Sequence, residues 1–362
     1  MPTIFDLDTP ALLVDLDRLE RNIADMARLA KGGSKALRPH TKTHKTPEIA
    51  RMQMDTGAKG LTVAKLGEAE VMADAGFEDL FLANEIVGAA KTARLLALLR
   101  RARVCIGADS VEAVGPVGDA ARAQGLRVPV RIEVDTGLGR AGTRSLEEAL
   151  ALARFIAEHP GLELDGIFTH EGHVYRALEA ERLKLAAQVA SDMRALASAL
   201  GAQGTPAREV SVGSTPGTAL LADAPGLTEM RPGNYVFLDR MQTRIGAPRD
   251  RCALSVLATV VSVRPDGKII LDAGTKALAG DRLAEDSTFG EILDHPDLVF
   301  VGASEEHGHL QAREPARLRV GDKVRILPNH ACTCVNMHAA MTAFRGEKVE
   351  AVWTIAARGK IQ

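Results

Sequence analysis

Short apolar or β-branched runs alternate with amphipathic stretches from residue 11 to about residue 240, and no other feature of the chain narrows its fold so far. "ALLVD" (11–15) is followed by Leu19, Ile23, Met26 and Leu29, spaced three or four apart as on one helix face. The rhythm then returns. "GLTVA" precedes a helical stretch over 67–75, "LFLA" precedes "AAKTARLLALLRRA", and "VCIGA" precedes "SVEAVGPVGDAARAQG"; "VPVRIEV" precedes "SLEEALALARFIAEH", and "LDGIFTH" and "EVSVG" continue the series. Roughly eight such units predict an α/β fold built on a TIM-type (β/α)8 barrel, with an open doubly wound sheet as the competing reading. Past residue 245 the pattern changes. "LSVLATVVSV", "KIILDAG", "LVFVGAS", "DKVRILP" and "EAVWTIAARGK" are strand-like runs joined by Gly, Asp and Pro turns. The expected organisation is a barrel over 1–245 and a C-terminal β-rich domain over 246–362, with the linker near "RIGAPRD" (244–250).

A chain of 362 residues has room for a barrel of about 250 residues and a smaller domain. The formal net charge of -2 offers no basic face to phosphate backbones or anionic lipid, so no nucleic acid or membrane partner is expected, and a small molecule is. No apolar run approaches the ~20 residues of a membrane span, and no secretory leader pattern opens the sequence, which predicts a cytoplasmic protein. Cys105, Cys252, Cys332 and Cys334 are too few and scattered for a disulfide framework, so reduced thiols are expected.

The titratable residues cluster at the expected strand ends, where barrels keep their chemistry. "RPHTKTHK" (38–45) follows the second apolar run. A lysine here, Lys42 or Lys45, reads as a Schiff-base nucleophile activated by desolvation and by His40, His44 and Arg38. The competing reading is a solvated loop in which Thr46 caps the next helix and Pro47 occupies its first turn. "EVDTGLGRAGT" (133–143) ends a strand with a carboxylate, a glycine turn and Arg140, and "FTHEGHVY" (168–175) brings His170, His173 and Tyr175. "VSVGSTPGT" (210–218) forms a turn of Gly213, Ser214 and Thr215 whose N–H groups and hydroxyls suit a phosphate. "EMRPGNYVFLDR" (229–240) adds Arg231 and a second turn containing Gly233. "PNHACTCVNMH" (328–338) sets His330 and Cys332 two apart at an expected strand end, with Cys334 and His338 nearby. Imidazole with thiolate suits zinc, whereas free cysteine alone is ordinarily a buried hydrophobe.

Taken in order, and with "TPALLVDLDRLERNI" at the start, these stretches resemble the fold-type III pyridoxal phosphate enzymes nearly end to end. Among those alanine racemase-like barrels the similarity is to the D-threonine aldolases and D-serine dehydratases. The resemblance implies pyridoxal 5'-phosphate on Lys42, with Lys45 a helix-entry residue, and Arg140 near the ring oxygen or a carboxylate. It implies a phosphate cup of Gly213, Ser214, Thr215, Gly233, Asn234 and Tyr235, with Arg231 or Tyr175 at the pyridine nitrogen. It further implies a homodimer and a divalent metal on His330 and Cys332, zinc ahead of manganese or magnesium. The implied activity is cleavage of a D-3-hydroxy amino acid, with D-threonine aldolase ahead of D-serine or D-3-hydroxyaspartate dehydratase. His170 or His173 would serve as base in the aldolase and Lys42 in the dehydratase; a non-catalytic pyridoxal phosphate-binding protein is the more remote alternative. Family racemases use a C-terminal tyrosine, and both tyrosines here, Tyr175 and Tyr235, lie in the barrel portion.

Overall fold

The computed structural model describes residues 2–283, 288–312 and 318–362. The first strand, β1 (Ala11–Asp15), leads into a helix, Leu16–Gly32. Eight parallel strands follow: β2 (Ala36–Leu37), β3 (Leu61–Val63), β4 (Asp79–Glu85), β5 (Arg103–Ala108), β6 (Val128–Glu133), β7 (Leu162–Phe168), β8 (Glu209–Val212) and β9 (Glu229–Met230). Their order is β2-β9-β8-β7-β6-β5-β4-β3, and a parallel bridge between His40 and Thr62 joins the two ends of the row. The Thr62 N–H donates to Pro39 C=O at 2.8 Å across that seam, so the sheet closes on itself as the expected (β/α)8 barrel. These strands belong to one compact unit, made of Asp25–Lys42, Ala50–Gly233 and Lys360–Gln362.

Outside the barrel, Leu61, Leu80, Val104, Val128, Val130 and Ile167 pack against helix residues such as Leu95, Val117, Leu152 and Met193 in one aliphatic core. Each such side chain contributes about 1.5–3 kcal/mol on burial. Inside, the filling is ionic and aromatic. Arg38 of the segment after β2 donates from Nε to Glu229 Oε2 at 2.7 Å, and Arg131 of β6 donates to Glu229 Oε1 and to Asp165 Oδ2. Phe81 and Phe168 meet edge to face at 4.9 Å, with the Arg131 guanidinium 4.6 Å over Phe81.

The second unit comprises Met1–Ala24, Thr43–Ile49 and Asn234–Gly359. Its strands are β10 (Leu254–Val263), β11 (Lys268–Leu271), β12 (Gly290–Ile292), β13 (Leu298–Ala303), β14 (Gly308–Ala312), β15 (Lys323–Pro328), β16 (Ala340–Arg345) and β17 (Lys348–Thr354). β1 pairs antiparallel with β10 and parallel with β16, so "ALLVD" is a strand of this sheet and the barrel takes its eighth strand from "EM" at 229–230. A short run with a fully apolar centre fits a parallel or an antiparallel neighbour equally well, and periodicity carries no information about which. Among the described residues no helix is long and apolar enough to cross a membrane.

Glu229 is fully buried, and although burial opposes its charge, Arg131 and Arg38 hold its carboxyl far below the usual glutamate range. Removing it takes from Arg38 and Arg131 their shared, fully buried partner and leaves each with a single carboxylate, so Glu229→Ala is expected to lose about 3–5 kcal/mol in urea unfolding. In the wild-type protein this contribution is complete above the ordinary glutamate pKa of about 4.3 and shrinks as pH falls below it, which acid titration of stability will show.

Candidate active site

A cavity of about 310 Å³ opens where β2, β4, β6, β7, β8 and β9 end, and it gathers Lys42, Arg140, His170, Gly213 and Arg231, all singled out from sequence. Lys42 sits in the single turn Thr41–Thr43, and its N–H points to His40 Nδ1 at 3.4 Å. Lys42 lines this cavity, whereas Lys45 is a left-handed residue (φ 55°) whose carbonyl accepts from Ala357 N–H. Pro47 does open the next helix, but the Thr46 hydroxyl donates back to His44 C=O at 2.7 Å instead of capping it.

The expected cationic neighbours of Lys42 are not cationic in the way the residue types suggest. Burial first, then the charges of Lys42 and Arg231, push His40 well below the ordinary histidine range. Arg38 spends its charge on Glu229 and Asp79 in the barrel interior. His170 is likewise pushed down to about 4, by burial and then by Lys42. Its Nδ1 lies 3.0 Å from Gly213 C=O, which assigns the proton to Nδ1 and leaves Nε2 with a lone pair. Arg231 is fixed by Ser211 Oγ and by Thr169 C=O at 2.7 Å, stacks 5.2 Å from the Phe168 ring, and is pushed down to about 10 by burial. Arg140 is half-exposed and donates to Glu133 Oε1 at 3.1 Å. Its loop is shaped by Asp135, which accepts from the N–H groups of Gly137 and Gly139, both at positive φ.

His173 and Tyr175 lie in the turn Gly172–Arg176, and neither is among the residues lining the cavity. Ser214 uses its hydroxyl to cap the helix Thr215–Leu221, accepting from Gly217 N–H at 3.1 Å. Thr215 Oγ1 is buried without a partner, an orphan that a bound phosphoryl oxygen would satisfy. Gly213 runs against the next strand end so closely that a Cβ there would meet Arg231 N at 2.6 Å. Its N–H is taken by Glu171 Oε2 at 3.0 Å, a residue that sequence reasoning did not single out. Gly233 closes the barrel unit, while Asn234 and Tyr235 open the other unit as buried residues of a single turn. Asn234 Oδ1 is a second buried orphan. A lysine, two arginines, a neutral imidazole and an orphan hydroxyl fit pyridoxal phosphate.

In the β-rich unit, His330 and Cys332 do not lie along a strand. His330 is the N-cap of a short helix, Ala331–Met337, that follows β15, and Cys332 is in its first turn. Asp239 positions this turn: its Oδ2 accepts from His330 Nδ1 at 3.0 Å, from Ala331 N–H at 2.8 Å and from Asn234 Nδ2 at 2.6 Å. That arrangement is how carboxylates orient metal-binding imidazoles, leaving Nε2 as the donor. Cys332 Sγ is 3.2 Å from Thr43 Oγ1. Although burial opposes the imidazolium, Cys332 and Asp239 raise His330 to about 11, and a cation held on its Nε2 would have to displace that proton. Cys334 is fully buried and donates to Ala277 C=O, and His338 Nε2 lies 2.8 Å from the same oxygen. Among the described residues no three His, Cys, Asp or Glu side chains converge as a metal site.

A parallel barrel with a lysine, two arginines and an imidazole at its strand ends has the layout of a barrel enzyme whose cavity takes an anionic small molecule. Residues 14–241 match the family described as alanine racemase, N-terminal domain, and residues 253–344 match the putative serine dehydratase domain. The D-threo-3-hydroxyaspartate dehydratase of Delftia sp. (strain HT23) is 37% identical over 374 residues, covering 97% of this chain and 98% of its own. D-threonine aldolase from Filomicrobium marinum gives a TM-score of 0.93 at 32% identity, covering 99% of this chain and 98% of that one. Two solved variants of D-threo-3-hydroxyaspartate dehydratase, a histidine and a cysteine each changed to alanine at positions two apart, give TM-scores of 0.92 and 0.91 at 35% identity. Both cover 98% of this chain and 96% or 99% of their own, and the cysteine variant is in the metal-free form. The chain belongs to the alanine racemase-like, fold-type III pyridoxal phosphate enzymes, in the branch of lyases that holds the D-threonine aldolases and D-serine dehydratases.

With His170 pushed down to about 4, its ring is neutral with the proton on Nδ1 at about pH 6, where an unperturbed histidine is largely charged. Long-range proton–nitrogen NMR is expected to show that tautomer; a doubly protonated ring at this pH contradicts the assignment.

Proposed function

We propose that this chain is a pyridoxal phosphate- and divalent metal-dependent lyase of D-3-hydroxy amino acids, and that it expels the hydroxyl group to yield a 2-oxo acid and ammonia. The observation that carries the choice of reaction is the pair His330 and Cys332, two apart with Asp239 behind the imidazole. The same residue types at the same spacing are those changed in the two dehydratase variants, of which the cysteine one is metal-free.

When bound, pyridoxal phosphate supplies a carbonyl for amines and a ring that withdraws electrons from the substrate α-carbon. Lys42 Nζ would hold that carbonyl at rest and take the α-proton during turnover. Arg140 would neutralise the ring oxygen or the substrate carboxylate, and Arg231 would face the pyridine nitrogen as a fixed cation. Thr215 Oγ1, buried without a partner, would supply a phosphate contact, in the turn with Gly213 and Ser214 and in the same unit as Gly233. His330 Nε2 and Cys332 Sγ would hold the metal, zinc by their softness, whose charge makes hydroxide a better leaving group.

Aldol cleavage is the second reading, and His170 favours it. Its unprotonated Nε2 lines the cavity with Lys42 and could take the substrate hydroxyl proton as the Cα–Cβ bond breaks, giving glycine and an aldehyde.

Incubation of the loaded enzyme with D-threonine and D-serine is expected to give 2-oxobutyrate and pyruvate with ammonia, and no reaction with L-threonine. Glycine and acetaldehyde from D-threonine would establish the aldolase instead, and a racemised amino acid would overturn both readings. EDTA, His330→Ala and Cys332→Ala are each expected to abolish turnover with the cofactor retained. Lys42→Ala should lose the borohydride-trapped pyridoxyl adduct, which peptide mass analysis of the wild-type protein should place on Lys42 and not Lys45.

A further inference from the structure

Two carboxyl groups at the cavity have no role in the reaction as derived. Glu85 ends β4 and Glu133 ends β6, and both line the cavity beside Lys42 and Arg140. The β4–β5 ladder shifts register between Leu82 and Glu85, a bulge of the kind that re-aims a strand-end side chain. Glu133 is buried and accepts from Arg140. Glu85 Oε1 is buried with no donor, a costly position for a charged oxygen. Glu133, lining the same cavity, is after burial the neighbour that most opposes ionisation of Glu85, as expected where two carboxyls share one site.

We propose that Glu85 and Glu133 act as a carboxylic acid–carboxylate pair holding one proton, and that this pair sets the charge and orientation of Arg140 in the cavity. With that proton, Glu85, Glu133 and Arg140 together are neutral: Glu133 anchors the guanidinium, and Glu85 adds no charge. Without it the trio is negative, Arg140 is drawn down onto two carboxylates, and an anionic ligand meets a net repulsion. The surroundings set the balance. Asp109, after β5, favours retention of the proton, while Lys42, Lys65, Arg140 and Arg231 favour its release. His40 and His170, which also line the cavity, are neutral and shift it little. Burial and Glu133 together push Glu85 up to about 7, which places the release within the working range. Glu85 is thus a positioning residue, acting through Glu133 on Arg140.

The proposal rests on pyridoxal phosphate as the cavity's ligand, so its first test does not use the cofactor. In cofactor-free protein, infrared titration is expected to show a carboxyl C=O band that disappears as pH rises through about 7, and Glu85→Gln should abolish that band. If no such band is present in the wild-type protein, the shared proton does not exist, whatever the cavity binds. In the second test, pyridoxal phosphate affinity is measured by fluorescence quenching in wild type and Glu85→Gln. The amide keeps a hydrogen-bond donor toward Glu133 and cannot ionise, so the two proteins should bind alike at about pH 6. Above about pH 7.5 the wild-type affinity should fall relative to the variant by up to about tenfold per pH unit, since a proton must be taken up on binding. Glu133→Gln, which releases Arg140, should bind more weakly than wild type at every pH. Parallel pH profiles for wild type and Glu85→Gln would overturn the proposal. No binding to any of the proteins, with the infrared band present, would leave the shared proton standing and remove the cofactor reading and the role of Arg140 with it.

Discussion

The contact on which the barrel depends is Glu229, a carboxylate at its centre that accepts from Arg38, Arg131 and Ser211. Arg131 continues to Asp165 on β7, and Arg38 continues to Asp79 on β4. One carboxylate and its partners therefore join β4, β6, β7, β8 and β9 to the segment after β2. Barrel interiors are ordinarily filled by layers of branched aliphatic side chains. With Phe81 and Phe168 supplying its rings, this interior uses long charged side chains as filler. Such a network adds little stability over an apolar core of equal volume, because desolvation offsets the attraction. What it adds is register: both Glu229 oxygens accept two hydrogen bonds each, and a strand displaced by a residue would leave buried charge unpaired.

That register carries directly into the cavity, because alternate residues of a strand face the same side. Two positions beyond Arg38 is His40 and then Lys42; beyond Phe81 is Ala83 and then Glu85. In the same way Arg131 leads to Glu133, Phe168 to His170, Ser211 to Gly213 and Glu229 to Arg231. All of these second and third residues line the cavity. Ser211 couples the two layers physically, donating to Glu229 below and accepting from Arg231 above. The geometry of the reactive layer is thus an extension of the ionic one, and Arg231 could not be re-aimed without disturbing the serine that also satisfies Glu229.

This period of two explains what was readable from the residues alone. Arg140, His170, Gly213, Arg231 and a lysine at 42 or 45 could be named because strand ends are recognisable by their glycine turns and by the rhythm of apolar runs, and the family resemblance chose Lys42. Glu85 and Glu133 were not named, because a carboxylate ending a strand has the same local appearance whether it meets water or a cavity. The assignment of "ALLVD" to the barrel failed for a related reason: strand character is local, whereas the partner that accepts its hydrogen bonds lies some 240 residues away at Leu254–Val263. The turn holding His330 and Cys332 is helical because Asp239 accepts the Ala331 N–H at its start, a contact between residues 92 apart that no short pattern contains.

Burial changes the meaning of residue types here. Counted from sequence, "RPHTKTHK" is a concentration of positive charge, but His40 is kept neutral by burial and by the cations around it, and Arg38 is consumed by Glu229 and Asp79. His170 is neutral by the same physics. The positive field of the cavity therefore comes from a few fixed groups, Arg231 held by Ser211 and Thr169, Arg140 held by Glu133, and Lys42, while the imidazoles remain hydrogen-bonding groups that do not add charge. A cavity built this way attracts an anion through its cations and retains neutral rings able to accept a proton. Charging either histidine would force a second cation beside Lys42, and the same repulsion that keeps them neutral keeps those two functions apart.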